Sequence, residues 1–406
     1  MKRKNPRILF VERYITLSLK MLKPMTETSP TAGSRPILIT EIEQFGGAER
    51  SVLALARWLH QRDLPCHIVT YADHCNLAQF ATHPLPIVQL RPGTGVRRRI
   101  TALRRYFRSL PAGSPHPLAS GYQAALHATL AGVRGFHTLM HDTPSLFSDA
   151  ATRTLPDCLR IAVSNRIIAH GLRSGGNTIV TSQYLRAECH RDFHVEAHIA
   201  RMGGLATSRP ASLFRIRPIP PGGPLRMLSV CRIEASKRID WLLRALAELE
   251  ATTPPLSQWT DWQLDVAGSG PQLAPLRELA AQFGLGDRVH FHGFVPDSDL
   301  QALYDQTHLF LMPALQGYGI PAIESLQRGI PVLLHRDSGV SDILLETPWA
   351  TVLTGGPKKM AAALASAIDG VLDGRHHAAP QPHLPTEDEW ASQVARLCAW
   401  AESPLC

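Results

Sequence analysis

The chain has 406 residues, of which 44% are hydrophobic and 19% charged. This composition is typical of a globular protein with two or three domains and excludes a wholly disordered or collagen-like chain. The formal net charge of +8 is concentrated in residues 1–35, which carry +6, so the rest of the chain is nearly neutral. A nucleic-acid-binding function is therefore not favoured. The chain contains no run of about 18 apolar residues, which argues against a transmembrane helix.

The first 35 residues are interpreted as a disordered lead or a mis-called start, with Met21 or Met25 as alternative starts. Glu12 and Arg13 interrupt the apolar run that a secretory signal would need. The seven cysteines are scattered and form no CxxC pair. This usage favours a reducing, cytoplasmic compartment and argues against a disulfide framework or a structural zinc site.

Strands and helices alternate through residues 36–204, a pattern that predicts a parallel sheet covered by helices. The predicted strands are 36–41, 66–71, 86–90, 136–141, 159–163 and 178–181. Helices are predicted at 48–62 and 121–131. A third predicted helix, 96–110, has six arginines and no acidic residue. We expect its apolar face to pack on its own sheet, and its arginine face, from Arg97 to Arg108, to meet an anionic membrane or a lipid-diphosphate acceptor.

Residues 205–224 are rich in Pro, Ser and Gly and are predicted to link two domains. Alternation then restarts, with strands predicted at 226–230, 263–267, 288–292, 308–312 and 331–335. Helices are predicted to begin near 239, 271, 297 and 320, and a last amphipathic helix covers about 387–400. The sequence thus predicts an α/β protein with two doubly wound, Rossmann-like domains, 36–204 and 225–385, and a C-terminal helical segment, 386–406. Such sheets bind ligands beyond the carboxyl ends of their strands, so we expect the chemistry in the cleft between the domains.

Several segments at predicted strand ends have the chemistry of a nucleotide site. Gly46 and Gly47 lie between a strand and a helix N-terminus, where backbone amides and the helix dipole favour anions. Arg232 and Lys237 follow a strand and can hold a diphosphate, or stabilise it as a leaving group. Gly268 lies in a turn that can admit a nucleotide, and residues 291–295 can present backbone groups to a base.

Residues 313–331 are the most informative stretch, because a strand ends there and a new helix begins after a glycine-containing loop. The N-terminal amides of that helix can receive a phosphate or a sugar hydroxyl. Gln316 and Glu324 flank the loop. A charge in a largely apolar helix needs a partner, and a ribose diol suits the Glu324 carboxylate because it offers two neighbouring hydroxyls.

Together these segments resemble the GT-B glycosyltransferases, and specifically glycosyltransferase family 4. The resemblance covers about residues 36–400 in order and is strongest in the C-terminal half. It is carried by the runs FGGAER (45–50), SVCRIEASKRID (229–240), LDVAGSGPQLAPLRELAAQFGLGDRVHFHGFV (264–295) and LFLMPALQGYGIPAIESLQRGIPVLL (309–334).

The resemblance implies retaining transfer of a hexose or N-acetylhexosamine from a UDP- or GDP-sugar, without a metal or other cofactor. The acceptor would be a glycan or lipid-linked acceptor in cell-surface polysaccharide or lipopolysaccharide synthesis. Arg232 and Lys237 would grip the donor diphosphate, Glu324 would hold the ribose, and His141 would reach the donor sugar. The remaining implied donor-binding positions are Gly317, Tyr318, Gly319, Ile320, Gly268, Phe294 and Val295. Gly46 and Gly47 would border the acceptor and the phosphate.

The chain departs from the family pattern at two positions. Gln316 stands where the family usually has a Glu; its amide can still bond a sugar hydroxyl, but without the charge-assisted strength of a carboxylate. Cys231 stands where a glycine usually precedes the arginine. In the loosely matching N-terminal half, His137 competes with His141, because both lie on one face of a predicted strand. We favour His141, since it is nearer the carboxyl end.

Other functions remain open on these residues. A non-catalytic nucleotide-sugar-binding protein of the same fold fits Gln316 and Cys231, and a GT-B sugar-nucleotide epimerase would need no acceptor. His190, His194 and His198 have a spacing that could bind zinc on one continuous helix. However, a strand is predicted to begin near His198, so a surface or partly buried position without metal is favoured.

Overall fold

The computed structural model describes residues 33–43, 45–143, 154–204, 214–252, 254–259 and 261–402. Most of the predicted N-terminal lead and the first nine residues of the predicted linker lie outside these ranges.

Within the described residues, seven parallel strands form the first sheet, in the order β5-β3-β1-β6-β7-β8-β9. Its strands are β1 (Arg35–Leu38), β3 (Cys66–Thr70), β5 (Ile87–Gln89), β6 (Leu118–Ser120), β7 (His137–Met140), β8 (Thr178–Val180) and β9 (Ala197–Ile199). The short strands β2 (Glu41–Ile42) and β4 (Ala72–Asp73) pair with each other beyond β1 and β3. The strand order reverses at β1, between β3 and β6, which is where doubly wound sheets leave a crevice for ligands.

Helices connect these strands: α1 (Gly47–His60), α2 (Val96–Ser109), α3 (Tyr122–Ala131), α4 (Leu155–Leu172) and α5 (Gln183–Phe193), with a 3₁₀ turn at Leu77–Phe80. The predicted basic helix is α2. Its Leu103 is fully buried in the first domain, and the side chains of Arg97, Arg98, Arg105 and Arg108 are exposed. The apolar face therefore packs on its own domain, as expected.

The second sheet has six parallel strands in the described residues, in the order β12-β11-β10-β13-β14-β15. They are β10 (Leu225–Val230), β11 (Trp262–Ala267), β12 (Val289–Gly293), β13 (Leu309–Met312), β14 (Val332–His335) and β15 (Ala350–Leu353). The helices are α6 (Ile239–Glu250), α7 (Leu256–Trp259), α8 (Leu273–Gln282), α9 (Asp297–Gln306), α10 (Ile320–Gln327) and α11 (Met360–Leu372). The central strands β13 and β14 are buried along their whole length, as expected for a parallel sheet covered on both faces.

The last helix, α12 (Glu387–Leu397), returns to the first domain and packs against α1. A capping box between Thr386 and Glu389 begins it, and the side chain of Trp390 is buried in the shared core. The Trp400 indole donates to the carbonyl oxygen of His116, and Asn177 donates to that of Leu397. The chain thus crosses between the domains twice, which links their relative positions.

The predicted strand at 159–163 is wrong, because those residues lie inside α4. The Thr154–Asp157 capping box and Pro156 in the first turn favour a helix start, and Ile168, Ala169 and Leu172 supply its buried side. Leu159 and Val163 are exposed, so the apolar run that suggested a buried strand points outward.

The other differences concern the helices α5, α7 and α11, which were not predicted, together with element ends and short strands. The last helix stops at Leu397 rather than 400, because Ala399 adopts a positive φ of 53° and turns the chain. The strand predicted to begin near His198 is confirmed as β9 (Ala197–Ile199). The strands β6 and β15 were not predicted; each has three or four residues, too few to show a periodic pattern. Among the described helices, none is both long and apolar enough to cross a bilayer.

Candidate functional site

The two domains touch where the loop after β13 meets the end of β7. Gly317 lies against the backbone of His141, and a Cβ at this position would collide with the His141 carbonyl oxygen. The Ser182 hydroxyl donates to the carbonyl oxygen of Gly317 over 2.8 Å. Asp342 adds an interdomain contact by accepting from the Gln183 amide and from Arg201. The carboxyl ends of the two sheets therefore face each other at close range.

Lys237 is partly buried in this cleft on the side of the second domain. Its Nζ donates to Gln316 Oε1 over 2.8 Å. Burial lowers the pKa of Lys237, while the neighbouring Cys231 and Asp142 oppose that change. Arg232, by contrast, has a side chain that is largely exposed and pairs with Glu234 at 3.3 Å. The two predicted diphosphate cations thus share one edge of the cleft, one enclosed and one open.

Gln316 has its amide group held within its own domain. Its Nε2 donates to Ser338 Oγ at 3.1 Å and contacts Met312 Sδ, while its Oε1 accepts from Lys237. A glutamine at this position therefore gives Lys237 a neutral partner, where a glutamate would give it an anionic one.

His141 directly follows β7, on the cleft side, and its Nε2 lies 3.1 Å from Ser120 Oγ. Burial lowers the pKa of His141 to about 4, so the imidazole is neutral at pH 7. His137 begins the same strand at its opposite end, where its Nδ1 accepts from the backbone amide of Asn177. The structure therefore places His141, and not His137, against the loop that carries Gly317.

Two carboxylates from the first domain face the cations. Burial raises the pKa of Asp142 to about 6, a rise that the charges of Lys237 and Arg232 and the nearby backbone amide of Gly317 oppose. Burial also raises the pKa of Glu49, in the first turn of α1, and the charge of Arg232 opposes it. Sequence reasoning missed both residues as site members; the only signal for Asp142 was its place after His141.

The predicted glycine loop, Gly46 and Gly47, forms the N-terminus of α1. A Cβ on Gly47 would stand 3.9 Å from Ile320 Cδ1, so this loop lies beside the first residue of α10. Phe45, just before the loop, stacks on Phe80 with ring centroids 4.4 Å apart, and both rings are partly exposed. The glycine loop therefore lies next to both the stacked pair Phe45–Phe80 and the start of α10.

The start of α10 depends on the glycine before it. Gly319 has a φ of 142°, which a residue with a side chain rarely adopts, and it lets the chain turn into the helix. Tyr318 is buried, and its hydroxyl has no hydrogen-bond partner among the described residues. The Tyr318 side chain is therefore enclosed, while the Ile320 side chain is partly exposed beside the Gly47 loop.

Glu324, predicted to hold a ribose, has both oxygens in contact with protein groups. Its Oε1 accepts from Arg50 Nη1 at 2.5 Å, and its Oε2 accepts from the Tyr304 hydroxyl at 3.1 Å. Arg50 belongs to the FGGAER run but was not predicted as a site residue. Its partner is 274 positions away in the sequence, so no local pattern could identify the pair.

The predicted base-binding segment lies at the ends of β11 and β12. The amide of Gly268 donates to the carbonyl oxygen of Gly293, and a Cβ at Gly268 would collide with the carbonyl oxygen of Cys231. Phe294 is 78% exposed and Val295 is partly buried. Burial raises the pKa of the Cys231 thiol to about 11, so the thiol is neutral at pH 7.

The three spaced histidines do not share a helix face. His190 lies in α5, His194 ends that helix in a left-handed conformation, and His198 lies in β9. Among the described residues, no group of three potential metal ligands is close enough to hold an ion. The zinc alternative for these histidines is therefore wrong.

Comparison with known proteins agrees with this arrangement. Residues 214–381 match the family model "Glycosyl transferases group 1". The chain is 31% identical over 131 residues to the putative colanic acid biosynthesis glycosyltransferase WcaL of Salmonella typhimurium. It is 28% identical over 187 residues to the GDP-mannose-dependent alpha-(1-6)-phosphatidylinositol monomannoside mannosyltransferase of Mycolicibacterium smegmatis. These matches cover 30% and 42% of this chain but only 31% and 47% of the relatives' lengths.

A solved structure matches over a much longer part of the chain. The Anabaena protein HepE, crystallised with UDP-glucose, superposes with a TM-score of 0.65 at 15% identity. The match covers 90% of this chain and 99% of HepE. At this identity the likeness shows the fold alone, and that fold is GT-B, with two Rossmann-like domains, as the sequence predicts.

The pKa of Asp142 leads to a prediction about stability. Because its pKa rises on folding from 3.8 to about 6, the folded protein binds more protons than the unfolded chain between these pH values. This carboxylate therefore destabilises the fold above pH 6, and that cost disappears as the pH falls through 6 toward 4. We expect Asp142→Asn to stabilise the protein at pH 7.5 by about 1–3 kcal/mol and to have little effect at pH 4.

Denaturant unfolding of the parent, Asp142→Asn and the exposed control Asp287→Asn at both pH values measures this difference. If Asp142→Asn changed the free energy of unfolding equally at pH 4 and pH 7.5, the ionised carboxylate of Asp142 would not be the source of the destabilisation.

Proposed function

We propose, since the chain has the GT-B fold and its residues 214–381 belong to the glycosyl transferases group 1 family, that it transfers a sugar from a nucleotide donor to an acceptor. The donor is a UDP- or GDP-linked hexose or N-acetylhexosamine, and the anomeric configuration is retained. The observation that carries the proposal is the cleft in which Arg232 and Lys237 face Asp142, the residue after the neutral His141, across the domain contact.

The known proteins support this donor class without deciding the base. HepE was crystallised with UDP-glucose, and the mycobacterial relative is named as GDP-mannose-dependent. The Salmonella relative is named for colanic acid biosynthesis, which supports an acceptor in cell-surface polysaccharide or lipopolysaccharide synthesis. The proposed acceptor is accordingly a glycan or a lipid-linked glycan.

In this proposal, Lys237 and Arg232 bind the diphosphate and stabilise the negative charge that develops on it as the sugar leaves. A preorganised cation in an enclosed site is worth more than one in water, because the local dielectric is lower. The amides at the start of α10, together with the backbone of Gly317 and Gly319, complete the phosphate and sugar contacts. This chemistry needs no metal or other cofactor.

The neutral groups of the site orient the sugar. His141 is uncharged at pH 7, so its ring can bond a sugar hydroxyl without attracting the diphosphate away from Lys237. Gln316 keeps Lys237 in place through a neutral hydrogen bond, which leaves the full charge of Lys237 for the donor. The closely packed domains exclude water and so limit hydrolysis of the donor.

The surface of the first domain supports peripheral attachment to the inner face of a membrane. The exposed arginines of α2 lie on the same domain that is proposed to bind the acceptor. Juxtamembrane basic residues are attracted to anionic lipid, and this would bring a lipid-linked acceptor to the cleft.

The role of Lys237 generates the first activity prediction. Lys237→Ala is expected to lower transfer from the preferred UDP- or GDP-sugar by about 10²–10³-fold, because the leaving diphosphate loses its buried cation. The melting temperature should change little, since burial already disfavours the charged ammonium. Release of labelled sugar from UDP- and GDP-sugars, with and without a polysaccharide or lipid acceptor extract, measures both transfer and hydrolysis.

Lys358→Ala, at an exposed position of the second domain, is the matched control and should leave transfer unchanged. Equal activity of Lys237→Ala and the parent would reject the diphosphate role. Nucleotide binding without turnover by the parent would instead support the non-catalytic alternative, and conversion of the donor in the absence of acceptor would support the epimerase.

The membrane proposal is tested with vesicles. The parent is expected to float with phosphatidylglycerol-containing vesicles at low salt, and to be released at high salt because the attraction is electrostatic. The double variant Arg105→Glu, Arg108→Glu should bind at least about ten-fold more weakly, since each basic residue contributes roughly 1 kcal/mol. The control Lys358→Glu, Lys359→Glu makes the same charge change on the second domain. Equal loss in both variants would contradict a role specific to α2.

A further inference from the structure

Arg50 contacts three separate segments of the chain through its guanidinium. Nη1 donates to Glu324 Oε1 at 2.5 Å, Nη2 donates to the Gly204 carbonyl oxygen at 2.6 Å, and Nε donates to Glu387 Oε1 at 3.3 Å. These partners belong to α10 of the second domain, to the end of the first domain and to the C-terminal helix. Charge-assisted hydrogen bonds from one guanidinium thus fix α1 relative to all three.

The contact with Glu324 has an electrostatic consequence. Glu324 is only 8% exposed, and an ionised carboxylate at that depth is costly without a cation beside it. A carboxylate offers about four lone-pair positions, two on each oxygen. Arg50 takes one on Oε1 and Tyr304 takes one on Oε2, so each oxygen keeps capacity for one further donor.

We propose that Arg50 is a positioning residue for the nucleotide ribose: it holds the Glu324 carboxylate oriented so that its two oxygens accept from the two ribose hydroxyls. This inference rests on the proposed function, because it assumes that a nucleotide donor occupies the cleft. It adds to that function a residue of the acceptor-side domain that controls recognition of the donor.

The attachment of Arg50 to the acceptor-side loop strengthens this assignment. Its backbone amide bonds the carbonyl oxygen of Gly46 at 2.9 Å, in the predicted acceptor and phosphate loop. Gly204 packs directly on Glu324, since a Cβ at Gly204 would stand 3.0 Å from the Glu324 amide nitrogen. Gly204 therefore packs against the backbone and Cγ of Glu324, while Arg50, at the start of α1, donates to its carboxylate.

Arg57 provides a matched control on the same helix. Its guanidinium also contacts Glu387, at 3.2 Å, together with Asp388 at 3.1 Å, and both of these partners lie on α12. Removing Arg57 thus disturbs the same helix pair without removing a contact that the structure gives to Glu324. A merely structural role of Arg50 would be shared by Arg57, whereas ribose recognition would not.

The test compares binding of nucleotides that differ only in the ribose 2′-hydroxyl. Calorimetric titrations of the full-length protein use UDP and 2′-deoxy-UDP, and GDP and 2′-deoxy-GDP. For the base that binds, the parent and Arg57→Ala should prefer the ribonucleotide by roughly ten-fold, the typical value of a hydrogen bond to a charged group. Arg50→Ala and Glu324→Gln should reduce that preference to about two-fold or less. Arg50→Lys, which keeps the charge and is the variant to use if Arg50→Ala does not fold, should also lose most of it.

Each contrary result has a distinct meaning. A preference that survives in Arg50→Ala but is lost in Glu324→Gln overturns the role of Arg50 and leaves the proposed function intact. Tighter ribonucleotide binding by Arg50→Ala would also overturn it, because Arg50 would then compete with the ribose. A preference that survives in Glu324→Gln rejects the ribose site itself. Failure of the folded parent to bind any of the four nucleotides rejects the proposed function as well.

Discussion

The contact between Gly317 and the backbone of His141 is the constraint on which the cleft depends. No side chain fits at Gly317, so the loop after β13 meets the end of β7 directly, and Ser182 fastens that contact with a hydrogen bond. Because the contact is between backbones, it sets the distance between groups of the two domains without relying on flexible side chains. Lys237 and Asp142 face each other as a result. A residue with a Cβ at position 317 would push the two domains apart. It would also increase the distance between groups that face each other across the cleft, such as Lys237 and Asp142.

Charge is balanced across this contact before any ligand arrives. Two cations of the second domain, Lys237 and Arg232, face two carboxylates of the first, Asp142 and Glu49. Burial disfavours the charged forms of Lys237 and of both carboxylates, so keeping them ionised costs free energy. A ligand that pairs better with the cations can therefore replace the carboxylates. Lys237 donates to the neutral amide of Gln316, so this hydrogen bond gives it no anionic partner. A nucleoside diphosphate would supply that negative charge. In the proposed function, the donor diphosphate therefore replaces these carboxylates as the partner of the two cations.

The sequence predicts those parts of the fold and site that depend on local patterns. Parallel strands with long apolar runs, helix starts and the loop at Gly317 follow from neighbouring residues, so these predictions are confirmed as secondary structure. The apolar run at Leu159 was wrong because the adjacent capping box outweighs it. Contacts between distant segments could not be predicted at all. Arg50 and Asp142 acquire their importance from partners 90 or more positions away, and one sequence carries no signal for such pairs.

The central claim is that the cleft binds a nucleoside diphosphate through its second phosphate. A thermal-shift comparison of UDP with UMP, and of GDP with GMP, tests this most directly. Binding to the native state at 100 times the dissociation constant contributes about 2.7 kcal/mol, which a melting curve resolves. The account predicts a clear rise in melting temperature with one diphosphate and a much smaller rise with the matching monophosphate at the same concentration. Equal shifts for diphosphate and monophosphate, or no shift with any of the four in folded protein, would contradict it.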